Sequence, residues 1–344
     1  MKGPSAEEIL RARAADLGVC LREIASQITA AERSSESFVV TGIGASEAPA
    51  RAMAALLRAT WGVRAVFVPL STFAMGEPRA HGDVLVVFSQ SLSPNACLAL
   101  RRAPELTRAI LFTSATEPST ASAREVLGQF RDRGHVVTLP AHAGAAADAI
   151  AREQGTLVRT LGPCAATLAS ALHVGAATPD DVPALLDAIE TAPTRARAAT
   201  AHIDDARLDG RVAFVTAGDY GELCSGSCGL WLEALYAPRP PVWDVLQIAH
   251  GPFQEFYESP ILLVALERPG PETKLFDRLS RMIVPERHAL VRLSSVLAPP
   301  LAPLDHFAQV HELVCRALRA RPRDLRAWPG RGRDGALYDL GLGD

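Results

Sequence analysis

The stretch that decides the fold is Val84-Leu85-Val86-Val87-Phe88 running directly into Ser89-Gln90-Ser91-Leu92-Ser93-Pro94-Asn95. An unbroken apolar strand has no polar face to offer water, so both faces must be covered, as in a parallel sheet clad by helices. A helical segment follows at once, which puts the hydroxyl-rich turn where strand hands over to helix. Backbone N–H groups at a helix start lack intrahelical partners and form a seat for an anion. Ser89, Ser91 and Ser93 add hydroxyl donors, which suit a phosphate or a polyhydroxylated ligand. The same serines read equally well as plain helix caps kept for stability.

Outward from that stretch the same rhythm repeats. Strand-like segments run from Phe38 to Ile43, Ala65 to Pro69, Asp83 to Phe88, Ala109 to Thr113 and Val136 to Leu139, with helical stretches such as Ala48 to Thr60 between them. Helical segments around 145–175 and 180–205 carry the chain to a second set: Arg211 to Ala217, Val242 to Val245, Ile261 to Ala265 and Ala289 to Leu293. The fold class is α/β, with two modules, each a parallel sheet flanked by helices. An amphipathic helix over 5–33, with Ile9, Leu10, Leu17, Leu21, Ile24 and Ile28 on one face, opens the chain and is expected to pack on the first domain or a partner subunit. The expected boundaries are 1–34 for this helix, 35–195 and 196–330 for the two domains, and 331–344 for a tail. From Arg319 onward Arg, Pro and Gly predominate, and this end either stays loose or folds over a site.

At 344 residues, 48% hydrophobic and 21% charged, the chain is long and apolar enough for two α/β cores. A net charge of -3 gives no reason to expect nucleic acid. No apolar run approaches the ~20 residues that span a bilayer, and Met1-Lys2-Gly3-Pro4 lacks a signal-peptide core, so no membrane partner and a cytoplasmic location are expected. Of the six cysteines only Cys224 and Cys228 are close in sequence, without a second pair or histidines to complete a zinc site; small residues packing a helix start explain them better. No metal and no cofactor are expected. His81, His135, His142, His173 and His202 are dispersed without ligand spacing and read as surface or capping residues. Gly42-Ile43-Gly44-Ala45-Ser46 starts like a dinucleotide fingerprint but lacks the third glycine. Only Lys2 and Lys274 carry an amine among 35 basic residues, so Schiff-base chemistry by the protein is not expected.

Four separated motifs in order resemble the sugar isomerase (SIS) family, whose best-known type is the isomerase half of glucosamine-6-phosphate synthase. They are Gly42-Ile43-Gly44-Ala45-Ser46, Ser89-Gln90-Ser91, Leu230-Trp231-Leu232-Glu233 and Ala249-His250-Gly251-Pro252, and the similarity covers about residues 35–330. The resemblance implies substrate binding by Gly44, Ser46, Ser89, Gln90 and Ser91, with Ser93 or Asn95 compensating where the synthase pattern S-Q-S-G-E-T is lost to Leu92, Ser93 and Pro94. It implies proton transfer between C1 and C2 by Glu233, whose pKa an apolar wall of Leu230, Trp231 and Leu232 is expected to raise. His250 would move the ring-opening proton, entering from a neighbouring subunit of a homodimer. The synthase lysines have no counterpart: Leu230 stands at one place, and Pro322 to Ala327 lacks the other. No glutaminase region with an initiating cysteine is expected in this chain. The implied reaction is aldose–ketose isomerisation or amine removal on a phosphosugar or amino-sugar derivative. The alternatives are a regulatory protein that binds a sugar phosphate without turning it over, and a substrate without phosphate held by hydroxyls.

Overall fold

The computed structural model describes residues 4–75, 83–115, 117–118, 120–132, 134–139, 149, 155–338 and 340. Two compact units emerge, interleaved along the chain: one comprises 19–155, 159–179 and 327–344, the other 1–18, 156–158 and 180–326. They depart from the consecutive segments expected from sequence. The opening helix, Ala6–Gln27, begins in the second of these units, and the helix Val182–Ala199 belongs there too rather than to the first.

The first unit is built on β1 (Phe38–Gly42), β2 (Ala65–Phe67), β3 (Val84–Phe88), β4 (Arg108–Thr113) and β5 (His135–Thr138), all parallel, in the order β2-β1-β3-β4-β5. All five residues of β3 are buried, as an apolar run between two helical layers requires. Val39, Leu85, Val87 and Leu111 pack under Leu100, Leu127 and Phe130 on one face. Alternate residues face the other layer, where Phe88 stacks on Phe112 at 4.6 Å and Phe112 meets His173 edge-on at 5.3 Å. Because β2 lies on one side of β1 and β3 on the other, the strand order reverses between β1 and β3. In open parallel sheets that reversal leaves a crevice beyond the carboxyl ends, where ligands bind. Gly42 and Phe88, the last residues of these two strands, are register partners.

The second unit carries β6 (Val212–Thr216), β7 (Val242–Asp244), β8 (Leu262–Glu267) and β9 (Ala289–Ser294), parallel in the order β7-β6-β8-β9. Val215, Leu263 and Ala265 pack with Phe256, Phe276 and Leu279 on one face. On the other, Phe214 meets Trp231 edge-on at 6.1 Å, and the helix Ala302–Ala320 packs against Val182–Ala199 and Ser225–Leu235. Among the described residues no helix is long and apolar enough to cross a membrane.

Candidate functional site

The crevice of the five-stranded sheet is formed by two turns. After β1 the chain folds back so tightly that a Cβ on Gly42 would lie 2.4 Å from the Ser46 carbonyl oxygen, so only glycine fits there. Gly44 takes φ +57° at the head of the turn Gly44–Ser46, and Ser46 caps the helix Glu47–Leu56 without a side-chain capping bond. After β3, Ser89 N–H donates to Phe112 O (3.1 Å), and the Gln90 carbonyl accepts Ser114 N–H (3.0 Å). Ser93 N–H donates to Ser89 Oγ (3.2 Å), closing a loop around a buried hydroxyl.

Leu92 closes that loop in the left-handed region, φ 54°. Leu92 therefore carries a Cβ in a backbone conformation that favours glycine. The N–H groups of Gln90, Ser91 and Leu92 donate to no acceptor among the described residues. Successive N–H groups in a run containing a left-handed residue form an anion-binding nest. The N–H groups without an acceptor among the described residues therefore lie in the turn rather than at the helix start. The following helix, Ala96–Arg101, has only six residues, and the N–H groups of Ala96, Cys97 and Leu98 are already bonded to Ser93, Pro94 and Asn95 carbonyls.

A shallow cleft brings Ser46, Ser89 and Gln90 together with Ala45, Pro49 and Gly162. Gln90 lies across the first turn of the helix Leu161–His173, where a Cβ on Gly162 would sit 2.2 Å from Gln90 Nε2. Nothing in the sequence around Gly162 marks it as part of the cleft. Its contact with Gln90 is tertiary, and a glycine inside an apolar helical segment carries no local signal of it. Gly44, Ser91, Ser93 and Asn95 do not line the cleft. Gly44 and Ser91 are exposed beside it. Asn95 turns away: its Nδ2 donates to Leu337 O at 2.7 Å, while its buried Oδ1 has no partner among the described residues. The tail thus lies on the turn through Leu337 rather than hanging loose.

Glu233 and His250 belong to the four-stranded unit. Glu233 is half-buried on the helix Ser225–Leu235. The apolar wall expected around it is not formed as a wall: Leu230 and Trp231 are buried, Leu232 is 40% exposed, and a helix turns Trp231 to the face away from Glu233. His250 is exposed, ends the turn Gln247–His250, and is followed by Gly251 at φ 129° and the helix Pro252–Phe256. At the carboxyl ends of β6 and β8, the place matching the serine crevice holds the chain's own side chains. The Arg268 guanidinium lies 4.4 Å from the Tyr220 ring, donates to Ala217 O (3.2 Å) and pairs with Glu272 (2.7 Å). Cys224 and Cys228 are buried, and burial pushes the Cys224 thiol well up, so it stays protonated. Lys274 lies exposed in the first turn of the helix Thr273–Met282; Lys2, His81 and His142 lie outside the described residues. His173, expected at the surface, is buried.

No protein-family model and no curated protein matches the chain. Solved structures do. The C-terminal domain of glucosamine-fructose-6-phosphate aminotransferase from Francisella tularensis superimposes with TM-score 0.70 at 11% identity, covering 92% of this chain and 97% of that one. Glucosamine-6-phosphate deaminase from Thermotoga maritima gives 0.68 at 12%, covering 93% and 98%. Tagatose-6-phosphate ketose/aldose isomerase from Escherichia coli gives 0.65 at 14%, covering 95% and 98%. Over nearly its whole length the chain has the two-sheet α/β fold of the sugar isomerase (SIS) type, the fold these phosphosugar proteins share.

Proposed function

We propose that the protein is an enzyme acting on a phosphosugar or amino-sugar derivative, by aldose–ketose isomerisation or amine removal through an enediol or enaminol. The observation that carries this reading is the nest of Gln90, Ser91 and Leu92 N–H groups, set beside the Ser46 hydroxyl where the strand order reverses. Such a nest favours a phosphate or carboxylate, and the flanking hydroxyl and amide groups suit a polyol. The fold points the same way: neighbours sharing it carry glucosamine-6-phosphate and tagatose-6-phosphate in their names.

In this reading Ser46, Gln90 and Ser91 hold the anionic end, with Ser89, Ser93 and Gly44 fixing the turns that present it. Glu233 shuttles the proton between C1 and C2, and His250 moves the ring-opening proton. The assembly is a homodimer acting in the cytoplasm, with His250 contributed across subunits. Asn95 stabilises the tail rather than the ligand.

The test is incorporation of solvent deuterium at C1 or C2 of hexose 6-phosphates and their 2-amino derivatives. Label in one of them, lost in Glu233→Gln with ligand binding kept, supports the assignment. Label that persists in Glu233→Gln removes Glu233 from the chemistry. Pro94, where the synthase pattern has a threonine hydroxyl, favours the second reading, a sugar-phosphate-binding regulator. A melting shift without label in any sugar selects it.

A further inference from the structure

A second cavity opens within the five-stranded unit at the amino ends of β1, β4 and β5, the edge of the sheet away from the serine turn. Its volume is about 450 Å³, within the range of small-molecule sites. Phe38, Met53, Leu57 and Trp61 form its deep wall and are all buried, with Phe38 and Trp61 edge-to-face at 5.8 Å. The Trp61 indole N–H is already spent on Val174 O at 2.9 Å.

One side chain at this depth is polar. His173 is 6% exposed, and its ring nitrogens make no hydrogen bond among the described residues. Burial, reinforced by the charges of His135 and Arg108, pushes its pKa down to about 4. It is therefore neutral around pH 7, with one ring nitrogen donating and the other accepting. At the mouth Arg108 pairs with Glu36 at 2.8 Å, and the Glu32 carboxylate stands exposed at the rim.

We propose that this cavity binds a flat, uncharged nitrogen heterocycle, seated against Phe38 and Trp61 with its ring nitrogens hydrogen-bonded to His173. Other occupants fit less well. An ion would shed its hydration against the buried apolar wall, while the charged groups Glu32 and Arg108 stay exposed at the rim. A sugar would bring a shell of hydroxyls to a deep wall where His173 is the one polar side chain, because Gln27, Thr29, His135 and Thr138 line the cavity from exposed positions. A hydrocarbon would leave the buried imidazole unpaired. The site is separate from the serine cleft, so it stands or falls independently of the catalytic reading.

The test uses the full chain with two probes of one shape, benzimidazole and indene, titrated calorimetrically at mildly alkaline pH. Benzimidazole is expected to bind, and indene, which lacks both nitrogens, about tenfold more weakly. Thr138→Trp, at an exposed rim position, should abolish binding, and His173→Phe should bring the two probes to equal affinity. No binding, equal affinity for both probes in the unaltered chain, or binding indifferent to Thr138→Trp overturns the proposal. Should His173→Phe not fold, the probe pair and Thr138→Trp still decide. If the unaltered chain ignores both probes while Thr138→Trp lowers its mass by light scattering, the cavity is a seat for a second copy and the proposal fails.

Discussion

Leu92 and Gly162 show what one residue decides here. Leu92 holds φ 54°, a conformation costing an L-residue about 1–2 kcal/mol, yet its side chain is 3% exposed within the apolar cluster under the sheet. Truncating a buried leucine costs about 2–5 kcal/mol, which exceeds the relieved strain. Leu92→Gly is therefore expected to lower stability by about 1–3 kcal/mol in urea titrations, although glycine suits the backbone better. An unchanged midpoint would mean that strain, not burial, dominates. Gly162→Ala separates site from scaffold. Alanine favours a helix by about 1 kcal/mol over glycine, and the displaced neighbour is the flexible end of Gln90, so stability should hold or rise. Sugar-phosphate affinity should fall about tenfold, the worth of one polar contact to an anion. Equal affinity would take Gln90 out of the site. The unusual turn at Leu92 was legible in the sequence because the glycine of a known pattern is missing there. The role of Gly162 was not, because its partner lies on a different element.

At the scale of elements, the strands were the legible part. All nine expected segments overlap strands of the structure, and the inner ones stand out because a strand buried on both faces reads as an apolar run. The helix Ala302–Ala320 was hidden by its buried polar residues, which disguise an element packed on nearly every side. Asp305 accepts from Ser295 Oγ and Val296 N–H, each at 2.9 Å, and pairs with Arg195. His306 Nδ1 meets Tyr220 Oη at 2.6 Å and Nε2 meets Leu293 O at 2.9 Å, so the imidazole accepts from the phenol and donates to the carbonyl. Burial pushes His306 and His311 down to about 4, against an ordinary value of 6.5. The unfolded chain thus takes up their protons before the folded chain does. The stability they contribute is whole above pH 6.5 and drains as pH falls towards 4, at up to about 1.4 kcal/mol per pH unit for each. Urea midpoints measured across that window should drop steeply. His311→Leu, which also removes a buried nitrogen with no partner among the described residues, should flatten the slope by about that amount per unit; an unaltered slope would show that His311 is protonated in the native state.

At the scale of the whole molecule, composition and rhythm announced two sheet-based bodies, but not that the chain weaves between them. A boundary read from sequence assumes that neighbours along the chain pack together, and two charged contacts defeat that assumption. Arg11, near the start of the opening helix, donates to Glu312 at 2.9 Å, and the buried Arg13 donates to Val158 O at 2.8 Å. Glu312 is itself 2% exposed and shares its charge with Arg197 at 3.2 Å. Deleting residues 1–18 would leave that carboxylate with one exposed cation and strip an apolar helix face from the four-stranded unit, a loss of several kcal/mol by the usual cost of half-paired buried charge. Local stability is read by amide hydrogen exchange, which resolves units that open separately. In the shortened chain, protection should fall in Val212–Thr216 and Ala302–Ala320 and stay as it was in Val84–Phe88. If Val84–Phe88 lost protection instead, the opening turns of the helix would be supporting the five-stranded sheet, and the interleaved division of the chain would be wrong.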